Sequence, residues 1–270
     1  MKYIISILFI ISATKINANE LKTKCIAHRG NNKYYLENSI ASIRSAAELE
    51  SDGIEIDIRH TKDGQAILMH DSTLKRVAKN RQGRTCPLDE KIKDLSIIDI
   101  RSNCQLKNGE NIPLLIEALE AVSLENIDWF IELKDYPTEN TAQIIKSYIP
   151  KYQNKKVISF KRKTLRKFRK LAKKIGAENQ FELFKLYRFY LFHQKEFHAD
   201  VHFSSFNIKK LLKQKTKIQK AVWTVDGSKK LEEAFKSKVE YITTNDPELC
   251  LFLKARMIKQ LRLNQNLSSI

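Results

Sequence analysis

The sequence predicts an α/β chain of parallel strands joined by crossover helices, on the scale of a single (β/α)8 barrel. Three observations carry this expectation. Short β-rich runs, "CIAHRG", "GIEIDIR", "AILMHD", "WFIELKD", "KKVISF", "AVWTVD" and "YITTND", recur along the chain. Between them, segments 38–50, 114–125, 162–175 and 228–238 carry apolar residues at three- and four-residue steps, the helical period. Once residues 1–19 are set aside, about 250 residues remain, the usual size of one such barrel, and no linker or low-complexity tract divides them.

Residues 1–19, MKYIISILFIISATKINAN, open on Lys2, run apolar from Tyr3 to Ala13 and offer Ala18 at a cleavage point. That is the pattern of a secretory signal peptide. The apolar run is shorter than the roughly 20 residues of a spanning helix, and no later segment approaches that length. The expectation is an exported chain, periplasmic or secreted, whose single domain covers 20–270.

The first run, "CIAHRG" (25–30), ends a buried strand on two basic side chains and a glycine. "GIEIDIR" and "AILMHD" are separated only by "HTKDGQ", too short for a parallel crossover, so they form a hairpin around Asp63-Gly64 or one of them leaves the barrel. From Asp71 to Asn111 the periodicity fails, which marks a long excursion of the functional or partly folded kind. Two helix starts are marked by Pro113 before "LLIEALEAV" and Ser228 before "KKLEEAFKS". In 180–205, "FELFKLYRFYLF" fits strand or helix and "ADVHFSS" reads as a further strand.

Lys and Arg number 49 against 31 Asp and Glu, a formal net charge of +18 concentrated in the second half, as in "KRKTLRKFRKLAKK" (161–174). There Leu165, Phe168, Leu171, Ala172 and Ile175 recur at helical spacing, so the stretch reads as an amphipathic helix with a solvated cationic face before it reads as a binding patch. So basic a surface attracts anionic substrates and makes peripheral contact with an anionic membrane a candidate property. Nothing matches a nucleic-acid module. Cys25, Cys86, Cys104 and Cys250 lack the paired spacing of a structural zinc site. In an export compartment Cys86 and Cys104 could close one loop, and free buried thiols fit the sequence equally well.

The chemistry gathers at strand ends. In "GIEIDIR", Ile54, Ile56 and Ile58 alternate with Glu55 and Asp57, which places both carboxylates on one face. "FIELKD" repeats the pattern with Glu132 and Lys134. Buried carboxylates need compensation. A hard divalent cation supplies it, and so does a charge-paired core built around Lys134. His28 and His70 each end a β-rich run and suit a general acid and base on opposite sides of a reacting group. Arg29 presents a planar fork for phosphate oxygens or for a structural salt bridge, and Gly30 lets the backbone approach closely. His60, His193, His198 and His202 read as ordinary core or surface residues.

Taken together, "AHRG" (27–30), "LENS" (36–39), "GIEIDIRHTKDG" (53–64), "HD" (70–71), "IPLLIEAL" (112–119), "IELK" (131–134), "SF" (159–160), "WTVD" (223–226) and "ITTNDP" (242–247) resemble the glycerophosphodiester phosphodiesterase family, in family order and across nearly the whole chain after residue 19. The resemblance implies a distorted TIM barrel of the phospholipase-C-like phosphodiesterase type. It implies that Glu55, Asp57 and Glu132 bind one divalent cation, Ca²⁺ or Mg²⁺. His28 and His70 would be the acid/base pair, Arg29 and Lys134 would hold phosphate, with Gly30 clearing room for it, and Trp223 would line the pocket. The implied substrate is a small glycerophosphodiester, split to glycerol 3-phosphate and an alcohol through a cyclic phosphate. Rivals are a lysophospholipid-cleaving enzyme with the same site and a non-catalytic barrel that binds phosphate esters. Leu36, Ser39 and Asp226 depart from the family's usual proline, threonine and asparagine, and Asp226 is placed to alter substrate contacts.

Overall fold

The structure, a computed structural model, describes residues 22–122, 127–149, 155–191, 196–213 and 218–267. The expected signal segment, 1–19, and His193 lie outside them. Eight strands run parallel and close on themselves: β1 (Lys24–His28), β2 (Gly53–His60), β6 (Asp128–Leu133), β7 (Lys155–Ser159), β8 (Phe181–Tyr187), β9 (His198–His202), β10 (Lys220–Trp223) and β11 (Tyr241–Thr244), with β1 paired to both β2 and β11. The expected hairpin forms and one arm leaves the barrel. β3 (Ala66–Leu68) lies antiparallel on β2 and adds no staves.

Helices cover the outer wall as the periodicity predicts: α1 (Ile40–Glu48), α3 (Leu115–Glu120), α4 (Glu139–Tyr148), α5 (Arg162–Lys174), α6 (Ser205–Leu212), α7 (Ser228–Lys236) and α8 (Pro247–Leu267). Ser39 caps α1, its side chain accepting from Ser42 N, so serine does the work of a threonine there. Pro113 falls just before the N-cap Leu114 rather than within the first turn of α3. The ring is distorted between β8 and β9, where the described residues of the connection hold no helix. α5 buries Leu165, Phe168 and Ala172 and turns its cations outward, the amphipathic arrangement its spacing predicts.

The excursion after β3 folds into its own small core, built on β4 (Ala78–Asn80), α2 (Ile97–Asn103) and β5 (Cys104–Leu106). A Cys86–Cys104 disulfide closes it. A second disulfide, Cys25–Cys250, ties β1 to α8 across 225 residues of sequence and was not legible from spacing. By chain-entropy reasoning a loop that long contributes about 5 kcal/mol, against about 3 for the short one. The Cys25→Ala/Cys250→Ala variant is therefore expected to lose more denaturant stability than Cys86→Ala/Cys104→Ala, as read from urea midpoints.

Inside the barrel the side chains stack in layers. At the N-terminal end the buried ammonium of Lys156 pairs with Asp128 at 3.2 Å and Glu182 at 3.3 Å. Above it Ile26, Phe130, Ile158, Phe184 and Tyr241 form a plug. The charged residues of the last layer therefore open only toward the C-terminal ends of the strands, where barrels of this kind place their chemistry.

Candidate active site

Strand register assembles the site. His28 stands opposite Glu55 across β1 and β2, and Asp57 opposite Glu132 across β2 and β6. Ile54, Ile56 and Ile58 pack outward into the helix-facing core, which turns Glu55 and Asp57 inward. One carboxylate oxygen from each of Glu55, Asp57 and Glu132 lies within 4.8 Å of the others, and all three side chains are buried.

Cations already press on this cluster. The Lys134 ammonium lies 2.9 Å from Asp57 Oδ1 and 2.8 Å from Glu132 Oε1. Arg29 Nε lies 3.0 Å from Asp57 Oδ2, and its Nη1 donates to Glu37 at 3.0 Å. So Arg29 and Lys134, expected on phosphate, rest here on carboxylates. Asn38 locks Asp57 further, donating to Oδ2 at 2.9 Å and accepting from the Asp57 amide at 3.1 Å.

The three carboxylates differ in charge. Burial opposes ionisation of Asp57, yet Lys134 and Arg29 hold it below the ordinary carboxylate range. Burial, with Asp57 and Glu132 beside it, pushes Glu55 well above that range. Burial and Asp57 push Glu132 up to about 7. Asp57 Oδ1 and Arg29 Nε approach their partners without aligned hydrogen bonds. Oxygen donors that converge while buried, two of them resisting ionisation, fit a hard dication, which takes carboxylate oxygens as ligands and compensates their mutual repulsion.

Both histidines line one cavity of about 110 Å³ with Arg29, Glu55, Glu132, Lys134 and Trp223, and Asp57, not itself on the lining, adjoins it through Glu55, Glu132, Arg29 and Lys134, so the structure brings together the residues expected at the site. His28 Nδ1 donates to Asn245 Oδ1 at 2.6 Å. The amide orientation follows from Asp226, whose carboxylate accepts from Asn245 Nδ2 and from its backbone N–H, both at 2.8 Å. His28 is thereby held as the tautomer with Nε2 free, 3.9 Å from Glu55. Burial and Arg29 push its imidazole down to about 4. His70 Nδ1 pairs with Asp71 at 2.7 Å, and its carbonyl accepts from Arg59 Nε and Nη2. Burial lowers His70 too, against the opposing charge of Asp57.

Several features differ from expectation. Gly30 lets the backbone approach α1 closely: at φ +77 its missing Cβ would sit 2.5 Å from Ser42 Oγ and 2.6 Å from a Ser42 backbone atom. Asp226 acts on Asn245 and so on His28. Sequence reasoning missed Asn38, Asn245 and Arg76, although "LENS" and "NDP" were visible. Arg76, from the excursion, bridges Asp71 and Glu37 and so joins the His70 side of the site to the Arg29 side. It also missed Asp200, buried on the cavity wall with Oδ1 unpartnered and pushed well up by burial and Glu132. His60 is structural, bound to Asp135 and Thr141. Asn245→Ala is expected to lower kcat on the order of tenfold to a hundredfold with KM little changed, because it frees the tautomer of the base without removing it. A change confined to KM would contradict this role.

The sequence profile of the glycerophosphoryl diester phosphodiesterase family matches residues 28–249. A glycerophosphodiester phosphodiesterase of Caldanaerobacter subterraneus subsp. tengcongensis is 33% identical over 251 residues, covering 86% of this chain and 98% of that protein. Human glycerophosphodiester phosphodiesterase 1 is 36% identical over 155 residues, 55% of this chain and 46% of that protein. Among solved structures, a glycerophosphodiester phosphodiesterase from Parabacteroides distasonis superposes with a TM-score of 0.63 at 27% identity, over 87% of this chain and 98% of its own. An Oleispira antarctica phosphodiesterase, solved in complex with the product sn-glycerol-3-phosphate, shares the fold with a TM-score of 0.72 at 20% identity, over 88% of this chain and 99% of its own.

Proposed function

This chain belongs to the glycerophosphoryl diester phosphodiesterase family and is a glycerophosphodiester phosphodiesterase; from that premise we propose that His28 and His70 carry the reaction as a base and acid pair, through a cyclic phosphate, with one divalent cation held by Glu55, Asp57 and Glu132. The observation that carries the proposal is the pair of imidazoles, each with Nδ1 engaged and Nε2 free, lining one cavity beside three converging carboxylates.

His28, the more strongly depressed imidazole, is neutral at physiological pH and takes the proton from the glycerol hydroxyl next to the phosphate. The resulting oxygen attacks phosphorus, and the bond to the other alcohol breaks as His70 protonates the leaving oxygen, Asp57 and Asp71 supporting its imidazolium form against the burial that lowers it overall. Water then opens the cyclic phosphate with the two roles reversed, giving glycerol 3-phosphate. Arg29 meets charge on the phosphoryl oxygens, as does Lys134 once its carboxylates have another cation. A bound Ca²⁺ or Mg²⁺ would supply further positive charge at the phosphodiester. Phosphorus NMR of a turnover reaction is expected to show a transient cyclic glycerophosphate before glycerol 3-phosphate. Direct formation of the monoester, with solvent oxygen incorporated in the first step, would overturn the route.

Cation binding must displace the protons held on Glu132 and Glu55, so its affinity is expected to fall by at least about tenfold per pH unit below pH 7. The sign also fixes a stability effect. Between the ordinary value of 4.5 and about 7 the folded chain keeps a proton that the unfolded chain releases, so the ion-free protein loses stability as pH rises through that window. The thermal shift produced by Ca²⁺ or Mg²⁺ should therefore be larger at pH 8 than at pH 6. A shift independent of pH would contradict the placement on Glu132.

Action outside the cytoplasm is supported by the apolar leader and by two disulfides. A second reading keeps the site and takes lysophospholipids. It is favoured by Tyr136, Phe189 and Leu191, exposed on segments that follow β6 and β8 at the barrel mouth. Head-group release from glycerophosphocholine and from lysophosphatidylcholine separates the two.

A further inference from the structure

The cavity has a third cationic side chain, beside Arg29 and Lys134, that the chemistry above does not use. Arg188, two residues after Leu186 on the inward face at the end of β8, lines the cavity with Phe160 and Trp223, across from the carboxylate cluster. Arg29 and Lys134 are each matched by carboxylates. For Arg188 no carboxylate lies within ion-pair distance among the described residues. The sequence explains why: residues 140–177, 183–195 and 201–225 contain no Asp or Glu, so the segments that leave β7, β8 and β9 toward the mouth carry no carboxylate. Asp200, the one acid on that wall, is buried on β9 and makes no ion pair with Arg188.

Arg188 is also held in place. The buried amide of Asn207 donates to the Arg188 carbonyl at 2.9 Å and accepts from the Tyr190 amide at 2.9 Å, which fixes the segment that leaves β8. The guanidinium stands 5.7 Å from the centroid of the Phe160 ring. Phe160 in turn meets Trp223 edge-on at 5.3 Å. Arg188 therefore already takes the place over Phe160 where a quaternary ammonium would stack.

We propose that Arg188, with Phe160 and Trp223, forms a subsite for a second negative charge on the substrate, so that the enzyme prefers glycerophosphodiesters whose other alcohol is itself anionic over those carrying choline or ethanolamine. This inference rests on the phosphodiesterase reading of the site. A phosphodiester bound between His28 and His70 directs one of its two arms along the cavity toward Arg188. An anionic group on that arm gains a charge-assisted partner at the cavity rim, where Arg188 stays exposed, whereas a cationic one meets repulsion.

The test compares three diesters whose second alcohol is cationic, neutral or anionic: glycerophosphocholine, glycerophosphoglycerol and bis(glycerophospho)glycerol. Release of glycerol 3-phosphate gives kcat/KM, and calorimetric titration of the His28→Ala protein gives affinity without turnover. The expected order rises from cationic to anionic, with at least about a tenfold ratio between the extremes. Arg188→Gln should collapse that ratio toward one, and Arg188→Glu should invert it. If Arg188→Glu does not fold, the Gln variant and the decline of the wild-type ratio with added salt still decide. An equal loss on all three diesters would mean that Arg188 meets a part of the substrate they share, and would overturn the inference, as would a wild-type preference for choline. An acylated counterpart of the anionic diester in detergent micelles tells a free diester from a lipid head group as the source of the charge. Absence of turnover with every diester would sink the phosphodiesterase reading, while the order of affinities would still judge the subsite.

Discussion

His28→Ala is expected to lose about 10²–10⁴-fold in kcat/KM on any glycerophosphodiester. The loss should come without unfolding. His28 ends β1 with its ring facing the cavity rather than the helix-facing core, and its one hydrogen-bond partner, Asn245, is still held by Asp226 and Asn32. Since both imidazoles serve one proton-transfer sequence, His28→Ala/His70→Ala should be little worse than either single variant. Additive losses would mean that the two act in separate steps. Full activity of His28→Ala would remove it from the mechanism.

Asp57→Asn should be the most damaging isosteric change at the carboxylate cluster. Asp57 meets Arg29, Lys134 and Asn38 at once, and its side chain is 1% exposed. Neutralising it leaves two largely buried cations short of a partner, a class of change that costs about 3–5 kcal/mol. It also removes the one carboxylate of the three that Lys134 and Arg29 already hold ionised. Calorimetric titration should show cation affinity reduced on the order of a hundredfold or more, beyond the 10–100-fold typical of supporting residues around a metal. Urea melts of the ion-free protein should show the stability loss separately. Unchanged cation affinity would move the metal site elsewhere.

Much of this was legible because it is local. The alternation of isoleucine with Glu55 and Asp57 fixes which face each occupies, and the short "HTKDGQ" link forces a hairpin whichever strand leaves the barrel. β8 resisted for a physical reason: "FELFKLY" has large apolar residues on both faces, Phe184 and Leu186 inward and Leu183 and Tyr187 outward, so no alternation survives. The Cys25–Cys250 bond and the chain from Asp226 through Asn245 to His28 join residues far apart in sequence and depend on barrel closure. Arg188 was hidden in a different way. Its meaning lies in the missing carboxylates around it, and which segments surround it is known only once β7, β8 and β9 stand side by side. Gly30 shows the same limit from the other side. The need for a close approach was readable, but its partner proved to be Ser42 of α1.

The most direct test is release of glycerol 3-phosphate from a glycerophosphodiester by the purified protein before chelation, after exhaustive chelation, and after return of Ca²⁺ or Mg²⁺. The expected result is loss of activity on chelation and its recovery with one of the two ions, with no recovery in Asp57→Asn. Full activity after chelation, with the cation confirmed absent by elemental measurement, would contradict a dication held by Glu55, Asp57 and Glu132.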